Sequence, residues 1–358
     1  MRTYFVTLIL SALTSFLITP LARRLAFRWG AVDVPNERKI HTTPMARWGG
    51  LAVFAGFSLP WFGLFWLENQ ITATLRDYEM LFLTLMLGAL LMLGLGIYDD
   101  VKGANAPQKL LVQILTAIGL YYGGYQISRL SNPFGAPLEL GWLGLPISVL
   151  WIVGLTNAIN LLDGIDGLAP GVTACIALSL AVINILSGQV LVALLALCLA
   201  GACLGFLPYN FSPAQIFLGD SGSLFIGIVL AGIGVLSLFK AATTTLIVVP
   251  LLLFGLPLFD TTSVVIGRLA RRVPLFQADK SHVHHRLLKW GFSQRQAAIV
   301  LYGISLLLGG VAVVLTWQQA VAIAIGSGVV VLVLAVLIRW RWIARHRGEK
   351  PPQRSAEE

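Results

Sequence analysis

Charge is what this chain has least of. Only 11% of its 358 residues are charged and only 16 are acidic. A soluble globular domain carries about 25% charged residues, so the composition excludes an ordinary water-soluble fold. Cysteine is almost missing too. Cys175, Cys198 and Cys203 all lie inside apolar runs without metal-ligand spacing, which excludes a disulfide framework or thiolate zinc site and leaves packing as their role. No nucleic-acid reading module is present, and the basic residues are scattered over loops, so nucleic acid is not an expected partner. Internal repeats and interdomain linkers are absent as well.

What the chain has is apolar surface: 57% hydrophobic residues and a mean hydropathy of +0.83. A helix needs about 20 apolar residues to cross the hydrocarbon core. About eleven such runs begin near Phe5, Gly49, Met80, Lys109, Trp142, Leu168, Val190, Gly222, Leu246, Gln296 and Ala320. The first lacks a small-x-small cleavage site before Pro20 and reads as a retained anchor. Several Trp, including Trp29, Trp66, Trp142, Trp317 and Trp340, stand near run ends as interfacial anchors would. The 36 Gly suit close helix packing.

Lys and Arg stay preferentially in the cytoplasm. Threading the eleven runs places every basic residue on one face except Arg2, Arg76, Arg129 and Lys240. The predicted fold is therefore an all-α polytopic membrane protein with about eleven transmembrane helices, N-terminus outside and C-terminus cytoplasmic. Residues 1–344 form the membrane domain with its cytoplasmic loops, and 345–358 a disordered tail. The net charge of +9 follows mainly from this topology and from attraction to anionic lipid.

Asp99, Asp100, Asp163, Asp166 and Asp220 all fall on the basic face, in three separate loops. An ionisable residue near membrane depth is costly and points to function. Asp99-Asp100 closes the third span, where a helix dipole disfavours negative charge. A cation must join the pair there; Lys102 supplies part of that compensation and a divalent metal more, unless the pair is merely a solvated loop. In Asn157-Ala-Ile-Asn160-Leu-Leu-Asp163-Gly-Ile-Asp166-Gly167, each Asp precedes Gly, a turn signal. Asn160 and Asp163 can share a helical face and offer oxygen ligands suited to Mg²⁺. Asp220, before Ser221-Gly222-Ser223, could cap a helix whose N-terminus also favours anions. Phe217 is either core or a stacking platform for a base.

His282-Val-His284-His285-Arg286 lies in a basic loop. Zinc lacks a clear fourth ligand there, and phosphate contacts suit the residues better. Lys39 and Arg47, in the stretch from Asp33 to Gly50, read as a charged juxtamembrane loop or as lipid headgroup contacts. Together these residues suggest phosphoryl transfer between a soluble nucleotide and a lipid.

From Asp33 to about Arg286 the chain resembles the polyprenyl-phosphate N-acetylhexosamine-1-phosphate transferases, glycosyltransferase family 4. The resemblance rests on the order and spacing of Asp99-Asp100, Asn160-Leu-Leu-Asp163-Gly-Ile-Asp166-Gly, Asn210 ten residues before Asp220, and the His282 cluster. It implies that a UDP-N-acetylhexosamine gives its sugar 1-phosphate to undecaprenyl phosphate, releasing UMP, in the first membrane step of cell-envelope polysaccharide synthesis. The interrupted histidines resemble the branch that uses UDP-N-acetylglucosamine, and not the phospho-N-acetylmuramoyl-pentapeptide branch.

The likeness also implies Mg²⁺, with Mn²⁺ as a substitute, held by Asp220 and Asn160. By the same likeness, Asn210 and Phe217 hold uridine and Asp99 deprotonates the acceptor phosphate, with Asp100 in support. Asp163 and Asp166 organise the metal–pyrophosphate site, and His282, His284 and His285 bind phosphate or sugar. Lys39, Arg47, Lys102, Lys109 and Arg286 contact substrate. The expected setting is the bacterial inner membrane, multi-pass, with the site facing the cytoplasm, the bilayer as a partner, and a homodimer as the assembly. Some relatives carry another carboxylate soon after the first pair; here Lys102-Gly103 follow, which weakens a three-carboxylate site. The rival class is an ion-coupled transporter, whose sites usually lie at the midplane between repeats.

Overall fold

A computed structural model describes residues 2–35, 43–65, 77–130, 137–239, 248–271 and 282–317. Lys39, the run beginning near Ala320 and the 345–358 tail lie outside the described residues. The chain divides at Val313, and everything below belongs to the unit Met1–Val313 apart from the last four residues of the final helix.

The structure is helical. In chain order come α1 (Arg2–Trp29), β1 (Val32–Asp33), β2 (Met45–Ala46), α2 (Gly49–Phe65), α3 (Glu79–Lys102) and α4 (Ala106–Tyr122). After a second small hairpin, β3 (Arg129–Leu130) with β4 (Leu138–Glu139), follow α5 (Gly144–Leu162), α6 (Leu168–Leu186), α7 (Val190–Asn210) and α8 (Gly219–Gly234). The last elements are α9 (Val248–Leu253), α10 (Gly255–Arg271), α11 (Val283–Lys289) and α12 (Gln294–Trp317).

Among the described residues, seven helices are long and apolar enough to cross a membrane: α1, α3, α5, α6, α7, α8 and α12. The predicted run at Gly49 appears as a shorter apolar helix. The run at Lys109 becomes the 17-residue α4, and the run at Leu246 breaks into α9 and α10. Apolar periodicity marks burial in lipid or protein alike, so a run count and a span count need not agree.

The outer faces are apolar, with Leu17, Leu87, Leu150 and Leu307 each largely exposed. With polar solvent excluded from a bilayer core, backbone groups are satisfied within the helices. The centre is α8, buried from Ser221 to Gly234 and packed against α2, α3 and α5. On its other side α1, α2, α6 and α7 pack together. One close approach positions the site. A Cβ on Gly96 of α3 would sit 2.3 Å from the Ser221 backbone, so only glycine lets the end of α3 lie on the start of α8.

Candidate active site

Several helix ends meet at one end of the bundle. The C-terminus of α3 carries Asp99 and Asp100. A chain reversal at Gly103, whose φ of 74° suits glycine, leads into α4, capped by Asn105 in a box with Gln108. That reversal swings Lys109, in the first turns of α4, back over Asp99.

The Lys109 ammonium then lies between two carboxylates, donating to Asp99 Oδ2 at 2.9 Å and to Asp220 Oδ2 at 2.7 Å. Asp99 also accepts from the Ala104 backbone N–H. Asn160, near the end of α5, donates to Asp220 Oδ1 at 3.1 Å and to Ser223 Oγ at 2.8 Å. Asp100 points the other way. Its two oxygens accept the N–H groups of Asp220 at 2.9 Å and Ser221 at 3.1 Å.

This resolves the electrostatic difficulty at the end of α3. Asp100 is unfavourable for its own helix but caps the N-terminus of α8, where a carboxylate is stabilised. Asp99 is compensated by Lys109. The expected compensation by Lys102 is not what forms: that side chain is exposed and reaches over the Tyr98 ring at 5.8 Å. Lys102 continues α3 outward, whereas Lys109 is brought back by the turn.

The neighbouring loops are stitched together beneath the carboxylates. Asn210, buried at the end of α7, accepts the Gly167 N–H at 3.1 Å and donates to the Ile216 carbonyl at 2.9 Å. Asp166 Oδ2 accepts the Ala214 N–H at 3.0 Å. Tyr302 of α12 donates to the Gly167 carbonyl at 2.6 Å. Asn210 and Asp166 therefore shape the loops with the very atoms expected to meet a ligand. Phe217 is held through its backbone: its N–H donates to the Ala46 carbonyl and its carbonyl accepts from Gly49. The β1–β2 hairpin thus lies along residues 217–218, and Arg47 in it is paired with Asp33.

Asp163 is a loop carboxyl between α5 and α6. Burial, with the neighbouring charges of Asp220, Asp100 and Asp166, pushes it up to about 8, against a pull from Arg47. Asp163 and Arg47 are therefore electrostatically part of the same cluster.

The histidines close the site from α10–α11. His284 is buried, and a Cβ on Gly164 would meet its Nε2 at 2.4 Å, so the ring abuts the Asp163–Gly167 loop. Among the described residues, neither of its ring nitrogens has a hydrogen-bond partner. Burial, helped by His285 and His282, pushes it down to about 4, so it is neutral at pH 7. It stacks on His282 with 5.7 Å between centroids and meets His285 in a tilted pair at 4.3 Å. Arg286 follows on α11, partly buried.

Sequence reasoning missed Asp260 in α10. It is 2% exposed and takes His282 Nδ1 at 2.9 Å. Its signal was available: it is a carboxylate inside an apolar run, in a chain with few charges.

The donor set fits a hard divalent cation. Carboxylate oxygens of Asp99 and Asp220 flank the Lys109 ammonium, and the amide of Asn160 reaches the other oxygen of Asp220. Mg²⁺ is usually bound by one or two carboxylates with substrate phosphates and water. No group of three or more His, Cys, Asp or Glu forms a protein-only cage among the described residues.

Known proteins resemble this chain closely. Residues 82–238 match the model of glycosyl transferase family 4. A probable undecaprenyl-phosphate N-acetylglucosaminyl 1-phosphate transferase of Bacillus subtilis is 41% identical over 311 residues, covering 87% of this chain and 84% of the relative. A decaprenyl-phosphate N-acetylglucosaminephosphotransferase of Mycobacterium tuberculosis is 35% identical over 320 residues, covering 82% and 77%. A phospho-N-acetylmuramoyl-pentapeptide-transferase of Synechococcus is 37% identical over 223 residues, but these cover only 59% of this chain and 62% of the relative.

Proposed function

This chain belongs to glycosyl transferase family 4, and from that membership we propose the reaction its site performs. The protein transfers N-acetylglucosamine 1-phosphate from UDP-N-acetylglucosamine to undecaprenyl phosphate and releases UMP. The observation that carries this reading is the Lys109 ammonium seated between Asp99 and Asp220, within a cluster that also holds Asn160, Asp163 and Arg47. Carboxylates from separate helices converge there with fixed cations, as transfer between two phosphates requires.

In this reading an oxygen of the lipid phosphate attacks the sugar-bearing phosphorus of the donor. A new P–O–P linkage forms, the bond to the UMP oxygen breaks, and UMP leaves. Asp99 takes a proton from the acceptor phosphate. Asp220 and Asn160 would hold Mg²⁺, which when bound offsets the mutual repulsion of the two anionic substrates. Lys109, Arg47 and the His282–Arg286 segment bind phosphate oxygens. Phe217 stacks on uracil, while Asn210 and Asp166 hold the loops that frame it. Asp100 fixes α8 relative to α3. Most of the rate then comes from alignment and charge stabilisation.

The site faces the cytoplasm, with the N-terminus outside and about eleven crossings of the bacterial inner membrane. Support comes from the basic end of α1: Arg23 and Arg24 line a cavity with Tyr209, next to the Asn210 that joins the site loops. Lipid phosphate can thus remain in the headgroup layer while the donor arrives from water.

Purified protein incubated with undecaprenyl phosphate, Mg²⁺ and a panel of UDP-sugars tests the reading through UMP release. Release with UDP-N-acetylglucosamine is expected. No release with any N-acetylhexosamine donor refutes the transferase.

A further inference from the structure

Asp260 is the most deeply buried acid among the described residues, and the reaction leaves it without a role. It stands on α10 at 2% exposure, yet both of its oxygens are committed. Oδ2 lies 2.9 Å from His282 Nδ1, and Oδ1 accepts the Val283 N–H at 2.7 Å. A carboxylate from one helix therefore fastens the first residues of another, 22 positions later in sequence. With Nδ1 turned to Asp260, Nε2 is the ring nitrogen left to meet a ligand. The ring also stacks parallel to His284, at 7° between ring planes, and His284 abuts the loop of Asp163. The orientation of His282 and its place beside the site loop thus depend on one carboxylate.

We propose that Asp260 is a positioning residue for the transfer reaction, holding His282 so that its Nε2 meets a phosphate oxygen of the nucleotide-sugar donor. It acts through His282 and touches no substrate. The proposal rests on the transferase reading, and its test separates the two.

Four proteins are compared in detergent or nanodiscs by steady-state UMP release: wild type, Asp260→Asn, His282→Asn and the double variant. Asp260→Asn lowers kcat/KM for the donor by roughly 10- to 100-fold, the usual size for the partner that orients a functional imidazole. His282→Asn costs at least as much. The double variant is no slower than His282→Asn alone, because residues acting as one unit are non-additive. Asp260→Glu, which keeps the acceptor, recovers part of the loss and takes the place of Asp260→Asn in the cycle should that protein not remain monodisperse. Losses that multiply in the double variant, or an Asp260 variant with wild-type kinetics, overturn the proposal while the transferase reading stands. A wild type that releases no UMP overturns both.

Discussion

Replacing Gly96 by Ala adds one methyl group, which strikes the contact that assembles the carboxylates. The new Cβ would lie 2.3 Å from Ser221 Cα and N and 2.4 Å from the Asp220 carbonyl carbon. These are backbone atoms, and ordinary contact begins at 3.4 Å, so α3 and α8 must part by about 1 Å in a packed interior. Such overpacking costs about 1–3 kcal/mol of stability. The larger effect is on geometry. The Asp100 bonds to Asp220 and Ser221, at 2.9 and 3.1 Å, stretch toward about 4 Å and fail as hydrogen bonds. Asp99 and Asp220 then lose their common cation.

A 1 Å misplacement costs about 100-fold in rate, close to 2.7 kcal/mol of transition-state stabilisation. The assay is UMP release at saturating Mg²⁺, alongside thermal unfolding of the same preparations. Gly94→Ala is the internal control: it lies on the same helix, and its Cβ would meet nothing within 4 Å. We expect a loss of about 100-fold for Gly96→Ala and wild-type activity for Gly94→Ala. Equal activity for the two variants would refute the claim that this helix contact places the site.

Three further outcomes follow from the same geometry. Lys109→Met leaves Asp99 and Asp220 within about 6 Å of each other without a cation, roughly 3 kcal/mol of repulsion at an effective dielectric near 20. Its kcat/KM should fall about 100-fold while Lys109→Arg stays within about tenfold; near-normal rates for Lys109→Met would contradict the bridging role. Asp220→Ala should abolish Mg²⁺-dependent turnover while the protein still elutes as a single folded species, and retained activity would remove Asp220 from the metal assignment. Asp163, raised in the folded protein from 3.8 to about 8, binds more protons folded than unfolded between those values. Metal-free protein should therefore lose stability as pH rises from about 4 to about 8, and Asp163→Asn should flatten that dependence in pH-resolved thermal unfolding.

Much of the site was legible in sequence because charge is so scarce. Asp99, Asp163 and Asp220 stand out in a chain where a carboxylate beside an apolar run demands compensation. Their partners were harder to read. Adjacency favoured Lys102 as the cation for Asp99, but the turn at Gly103 and the capped start of α4 deliver Lys109 instead. Asn210 was expected on uridine, whereas its amide joins Gly167 to Ile216; a side chain's sequence neighbourhood does not reveal which loop its two ends will reach. Asp260 escaped notice because its partner lies on another helix. Its place inside an apolar run marks it as unusual, but nothing local says which residue it will meet.

The sequence by itself determined that this is a helical membrane protein of the sugar-1-phosphate transferase type. Hydropathy and motif order are properties of the linear chain, and they survive without coordinates. Only the tertiary structure decided how the acids divide their work: Asp100 on the α8 N-terminus, Asp99 and Asp220 on one lysine, Asp260 on His282. Those assignments depend on distances of about 3 Å between residues up to 121 positions apart. The helices set such distances by how closely glycine lets them pack, and no periodicity in the chain encodes that.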